Sequence, residues 1–312
     1  MKRSLAALSV LILASAPGAA QTARISEAAW LSPEADLVEF LTTAPAECLA
    51  VPGNSEERYR VDIGRVAFRS PFLLGGQAAR GRLSCSACHV NGRTNADFYI
   101  DGISSEPGTA DVTSSIFSAV REDRVLNARP IPDLVDRAAR AEASHGIEQF
   151  IESAVVDEFQ GAAPPRAVID GLVAYVSALQ SAACKDDSVR QTPRRDMRHV
   201  ARALAVADAA LARGDGPVAD FALISAQGEV GRIAERFPNS ADAQAALSAL
   251  ARRIGSARAI AADAPKGARF RIAEAAHERL KLSFALKRRS DDSLYDRTAA
   301  AAYLSGHPRS DE

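Results

Sequence analysis

The residues best equipped for chemistry stand five in a row, Cys85-Ser86-Ala87-Cys88-His89. Two thiols three positions apart can each form a thioether with one vinyl group of a haem. The imidazole that follows then lies beneath the iron, which is the attachment pattern of c-type haem. Two other chemistries use similar residues. Zinc would need two further ligands at suitable spacing, and no second cysteine pair or histidine cluster follows. A thioredoxin-like pair calls for a strand before it and a helix after it. Here Gly81-Arg82-Leu83 precedes the pair and a polar run, 90–97, follows. The expected cofactor is therefore one covalently attached haem c, with Cys85 and Cys88 as anchors and His89 as proximal ligand.

The elements that must position this motif are helical. Aromatics are 5% of the chain and alanine is abundant, a composition that favours helices over sheets. Residues 33–43 read as a short helix. The stretch 52–96 is loop-rich, with Gly75-Gly76 and Asn91-Gly92 as turn signals. Apolar residues recur at helical spacing over 146–159 and again over 167–179. Four further helices are expected near 194–213, 217–237, 240–262 and 269–288, punctuated by Gly214, Gly216, Pro238 and Pro265. No convincing strand set is visible. The fold class expected is all-α: a cytochrome c-like haem domain over 21–189 and a C-terminal helical bundle over 190–312.

Charge supports that division. The 312 residues carry 38 Lys+Arg and 39 Asp+Glu, a balance that argues against a nucleic-acid binder. Residues 21–189 hold 15 basic and 24 acidic side chains, whereas 190–312 hold 21 and 15. A positive tail beside a negative haem domain could dock onto it or recruit an acidic redox partner. The sequence around Arg236-Phe237-Pro238-Asn239 is faintly similar to a junction between helix-hairpin repeats.

Beyond the motif, the first half resembles a known family. Arg69-Ser-Pro-Phe-Leu-Leu-Gly followed by Leu83-Ser-Cys-Ser-Ala-Cys-His is similar to the haem-binding segment of bacterial di-haem cytochrome c peroxidases. Arg129-Pro-Ile-Pro-Asp-Leu and Ser144-His-Gly-Ile-Glu-Gln-Phe-Ile-Glu-Ser-Ala-Val resemble later segments of that family. Asp157-Glu-Phe-Gln-Gly and Leu172-Val-Ala-Tyr-Val-Ser-Ala-Leu resemble its closing region, so the likeness spans about 61–179. The departures are as informative. Those enzymes carry two haem motifs where this chain has one, and the axial methionine of their high-potential domain has no counterpart near Val156. The resemblance implies a peroxidase-type cytochrome c domain reduced to one haem, without implying peroxidase activity.

The sixth position of the iron stays open at this level. Methionine raises a haem potential, histidine lowers it, and an empty site permits ligand chemistry. His145 follows His89 by 56 residues and precedes the closing helix, which makes it a candidate ligand. In the resembling segment the equivalent histidine is more often a supporting residue near the haem. Met197, the one methionine after the leader, and Tyr99 are further candidates. Arg129 could neutralise a haem propionate. His199, His277 and His307 read as solvated residues of the tail helices.

The remaining cysteines and the N-terminus concern compartment. Lys2-Arg3, an apolar run to Ala16 and Gly18-Ala19-Ala20 have the order of a secretory signal peptide over 1–20. The run is too short to span a bilayer, so no transmembrane anchor is expected after cleavage. Cys48 and Cys184 bracket the motif, and an exported protein with two leftover cysteines most simply joins them. The function expected is one-electron transfer in the periplasm with a redox partner protein. The alternatives are a peroxidase-like oxidoreductase with an open or displaceable sixth site, and a haem-based sensor or assembly subunit.

Overall fold

The computed structural model describes residues 25–113, 118–137 and 143–307, with the backbone alone described for 143–145. The expected leader lies outside the described residues. Helix α1 (Leu37–Thr42) runs into strand β1 (Thr43–Pro45), followed by α2 (Ser55–Arg69), α3 (Gly76–Arg80) and the single turn α4 (Cys85–Cys88). Strand β2 (His89–Val90) pairs with β3 (Arg93–Thr94), and β4 (Thr109–Ala110) pairs with β5 (Arg129–Pro130). Helix α5 (Ala143–Ser153) continues as a π-helical turn, Ala154–Glu158, before α6 (Arg166–Ser177). Strand β6 (Ser188–Arg190) returns to β1. Helices α7 (Pro193–Ala212), α8 (Gly216–Glu235), α9 (Ala241–Ala259), α10 (Pro265–Lys287) and α11 (Arg297–Gly306) follow.

The described chain is thus mostly helical, and α7, α8, α9 and α11 each start at a side-chain cap. Thr192, Asp215, Ser240 and Asp296 each accept from backbone N–H groups of the first turn, and Pro193 occupies the start of α7, where its missing N–H costs nothing. Each of α7 to α10 packs on the next and α10 packs back on α7. That closed ring is a four-helix bundle, not an open stack of hairpin repeats.

The largest departure from expectation is α2, which lies within the stretch read as loop-rich. Asn54 caps it and Glu56 and Glu57 sit in its first turn, favourable against the helix dipole. Its apolar residues Val61, Ile63, Val66, Ala67 and Phe68 are buried, and it packs against α6, α7 and α8. The α2–α6 contact is unusually close. A Cβ placed on Gly64 would sit 2.0 Å from the Gly171 carbonyl oxygen, so only glycine permits this crossing. The short strands are a second departure. They are two or three residues long and act as clasps between helices, too brief to carry an alternating pattern.

One buried apolar cluster runs from Cys48 through α2, α6 and the tail bundle to Tyr295. Where the two halves meet, acids of the first half meet arginines of the second. Arg232 and Arg236 pair with Glu27, Arg202 with Asp62, Arg213 with Glu56, and Arg297 with Glu39. Arg69 with Glu229 and Arg82 with Glu235 run the other way. The charge asymmetry of the sequence is therefore spent largely within the chain. Glu27 and Glu229 lie in this layer; burial pushes their carboxyls up, but the surrounding arginines outweigh it and hold both below the usual glutamate range.

Candidate functional site

The Cys-x-x-Cys-His run forms the turn α4 and the strand that leaves it. Gly75 and Gly76, both at positive φ (67° and 50°), launch α3, which delivers Leu83 and Ser84 to the start of α4. Cys85 and Cys88 are three residues apart on one helical turn and are free thiols. After His89 the chain reverses through Asn91-Gly92 at φ 53° and 85°. Both central residues at positive φ is the requirement of a tight two-residue hairpin. The resulting register sets His89 opposite Thr94.

Asn95 completes the clamp. Its backbone N–H donates to the Cys88 carbonyl at 2.8 Å, and its side-chain amide to the Ala87 carbonyl at 2.8 Å. Asn95 is buried, so these bonds tie the last turn of the motif to the hairpin without competition from water. Segment 131–134 crosses over the hairpin: Thr94 Oγ1 donates to the Ile131 carbonyl, the Leu134 N–H to the Gly92 carbonyl, and Arg93 pairs with Asp133 at 2.8 Å. Phe68, near the end of α2, lies 6.4 Å from the His89 ring and edge-on to Tyr175 of α6. The two crossing helices thereby reach the motif directly. Asn95, Pro132 and Phe68 were not singled out from sequence. Asn-Gly flags the hairpin, but the partners of the motif come from folding, not from spacing.

Burial governs the electrostatics here. Desolvation pushes His89 down to about 4, against the opposing pull of the Pro132 backbone, so the imidazole is neutral at physiological pH. Its Nδ1 is buried with no hydrogen-bond partner. Burial also pushes the Cys85 thiol up to about 11 and the Cys88 thiol further still. Reactive dithiol pairs need the opposite, a lowered pKa. Among the described residues no group of three or more His, Cys, Asp or Glu is arranged to hold a metal ion.

A cleft of about 470 Å³ lies behind the motif. Ser84, Ser86, Ala87 and Val90 line it together with Trp30 and Asn95, whereas Cys85, Cys88 and His89 do not. Cys85, Ala87 and Cys88 pack against the apolar cluster, and Ala87 also borders the cleft with Ser86. Four large apolar side chains between the motif and α6 remain exposed, Val120, Val125, Leu126 and Phe150, at 55% to 74%.

The other candidates fall in different places. The backbone of His145 belongs to α5, and its side chain lies outside the described residues. Arg129 is exposed on β5, three residues before Pro132. Met197 is fully buried in α7, within the cluster shared with the bundle. Tyr99 donates its backbone N–H to the Trp30 carbonyl. His199 is not a solvated residue: it faces Arg202, and burial drives its pKa well down. His277 is exposed, and His307 stacks on Tyr303. Cys48 and Cys184 are joined as a disulfide with Cα atoms 4.4 Å apart. Comparison with protein-family models, curated proteins and solved structures found no match.

Proposed function

We propose that the chain is an exported monohaem c-type cytochrome that carries single electrons in the periplasm to or from a redox partner protein. The observation that carries this reading is the fixed turn Cys85–Cys88 with its two free thiols, followed by a half-buried imidazole at His89 that desolvation keeps neutral. The residues present fit a covalently held haem. Cys85 and Cys88 would form its thioethers and His89 would be the proximal ligand. When bound, the haem supplies an iron that cycles between ferric and ferrous.

The chain's own residues do the rest. Burial keeps His89 unprotonated and so able to bind a metal. A ligating histidine usually donates its other ring N–H to a carbonyl or carboxylate, and the backbone of Pro132 already acts on this ring. The hairpin and Asn95 hold the imidazole and the cysteine turn as one unit, which limits reorganisation when the charge at the site changes. His145 is the proposed second ligand or pocket support, and Arg129 the proposed propionate partner.

Low-temperature electron paramagnetic resonance of the ferric, haem-loaded protein tests this role. A low-spin signal that is lost in His145→Ala supports an electron carrier with His145 on the iron. A high-spin signal with peroxide turnover contradicts the carrier and favours the peroxidase-like alternative.

A further inference from the structure

Helix α10 is apolar on two opposite faces. Its inner face, including Ile272, Leu282 and Leu286, is buried in the bundle. Its outer face leaves Phe270, Leu280 and Phe284 exposed at 67%, 47% and 55%. A surface helix ordinarily keeps its apolar side chains on one stripe and charges on the other. At about 100° per residue, Lys266, Phe270, His277, Lys281, Phe284 and Arg288 fall within a stripe roughly 60° wide. All six are exposed. Leu280 and Lys287 flank it.

The charges on this stripe are of one sign. Lys266, Lys281, Lys287 and Arg288 have no ion-pair partner among the described residues. The acids beside them are engaged: Glu274 and Glu278 pair with Arg253, and Asp208 of α7 pairs with Arg269. Asp263, Asp291 and Asp292 lie in the turns beyond the two ends of the helix. Over its 23 residues, about 35 Å, α10 thus presents a convex row of aromatic and aliphatic side chains interleaved with cations.

We propose that this face of α10 docks on an anionic lipid surface, lying parallel to the bilayer. Phe270, Leu280 and Phe284 would enter the headgroup boundary while the lysines and Arg288 meet lipid phosphates. Lysine stems follow apolar surface and keep their charge outside it, so the two residue types do not conflict. A second copy of the chain is a poorer occupant. A two-fold contact through the stripe would set cations against cations. An acidic peptide would need a groove, and the row is convex. No helix among the described residues is long and apolar enough to cross a membrane, so the contact is peripheral. The proposal does not depend on the haem reading.

Co-sedimentation of the full chain with vesicles tests it, comparing pure phosphatidylcholine with a phosphatidylcholine–phosphatidylglycerol mixture at low salt. The full chain should sediment with the anionic vesicles alone and be released by salt. Each cation near the surface contributes roughly fivefold in partitioning, so K281Q/K287Q should bind more than tenfold more weakly. F270S/F284S should lose at least as much while its circular dichroism and melting stay those of the parent, since both rings are exposed. Val51→Ser, also at an exposed site but in the other half, should bind as the parent does. The proposal is overturned by absent binding, by equal binding to neutral vesicles, or by F270S/F284S binding like the parent. Concentration-dependent dimerisation abolished by F270S/F284S, without vesicle binding, would overturn it in favour of a second copy.

Discussion

Gly64→Ala tests how closely the motif depends on the helix crossing beneath it. The added methyl carbon would stand 2.0 Å from the Gly171 oxygen and 2.5 Å from its carbonyl carbon, where ordinary contact begins at 3.4 Å. The obstacle is backbone, so no side-chain rotation relieves it, and α2 and α6 must separate by roughly 1.4 Å or bend. Overpacking of a core costs about 1–3 kcal/mol where side chains can adjust, and the upper end applies here. Alanine returns up to about 1 kcal/mol through helix propensity. The net loss should be about 2 kcal/mol. With a urea m-value near 3 kcal/mol/M for a chain of this size, the midpoint should fall by roughly 0.7 M. Urea titration followed by far-ultraviolet circular dichroism measures this, with Gly216→Ala as control because nothing lies within 4 Å of its Cβ position. Phe68 of α2 reaches the His89 ring, so haem loading should also suffer in Gly64→Ala. A Gly64→Ala protein as stable as the parent would refute the argument that the close crossing holds the motif.

Other perturbations probe other parts of the structure. Joining Cys48 to Cys184, 136 positions apart, removes chain entropy worth up to about 5 kcal/mol; a Cys48→Ala/Cys184→Ala protein should show most of that loss in urea, and near-parental stability would contradict it. Arg69→Ala leaves buried Glu229 with Arg232 alone, and a drop of about 2 kcal/mol is expected in the same assay, below the usual cost of a fully orphaned buried charge. Glu27, Glu47 and Glu229 all have folded pKa values below the ordinary 4.5. Their contribution to stability is therefore complete above about pH 4.5 and is lost as pH falls through the lower folded values. Denaturation midpoints measured from pH 6 down to pH 3 should decline in that window, and Glu229→Gln should flatten part of the decline; a pH-independent midpoint would contradict the assignment.

The tail was the most legible part of the chain. Its helices follow one another with Gly214, Gly216, Pro238 and Pro265 between or at the start of them, and that punctuation places their boundaries within a few residues. Helix α2 lies in a stretch whose Gly75-Gly76 and Asn91-Gly92 turn signals read as loop, and Gly64 in its middle reads as a breaker although the crossing requires it. Of the site, the cysteines, His89 and the Asn91-Gly92 turn are contiguous and could be read directly. Asn95 bonds backbone carbonyls of the motif, Pro132 acts through its backbone and Phe68 through a tertiary contact, none of which leaves a spacing signal. His199 was misjudged because its helix neighbours are arginines, which suggest solvent; in the fold Arg202, which faces it, pairs with Asp62 across the junction of the two halves.

The central claim is that Cys85 and Cys88 carry one haem covalently, with His89 bound to its iron. Intact-mass measurement of the exported protein, produced in a host equipped for c-type haem maturation, tests it most directly when paired with a pyridine haemochrome spectrum. The expected result is a mass increase of one haem that survives denaturation and acid extraction, and its loss in Cys85→Ala/Cys88→Ala. An exported chain that carries no added mass, or one whose haem is extracted freely, would contradict it.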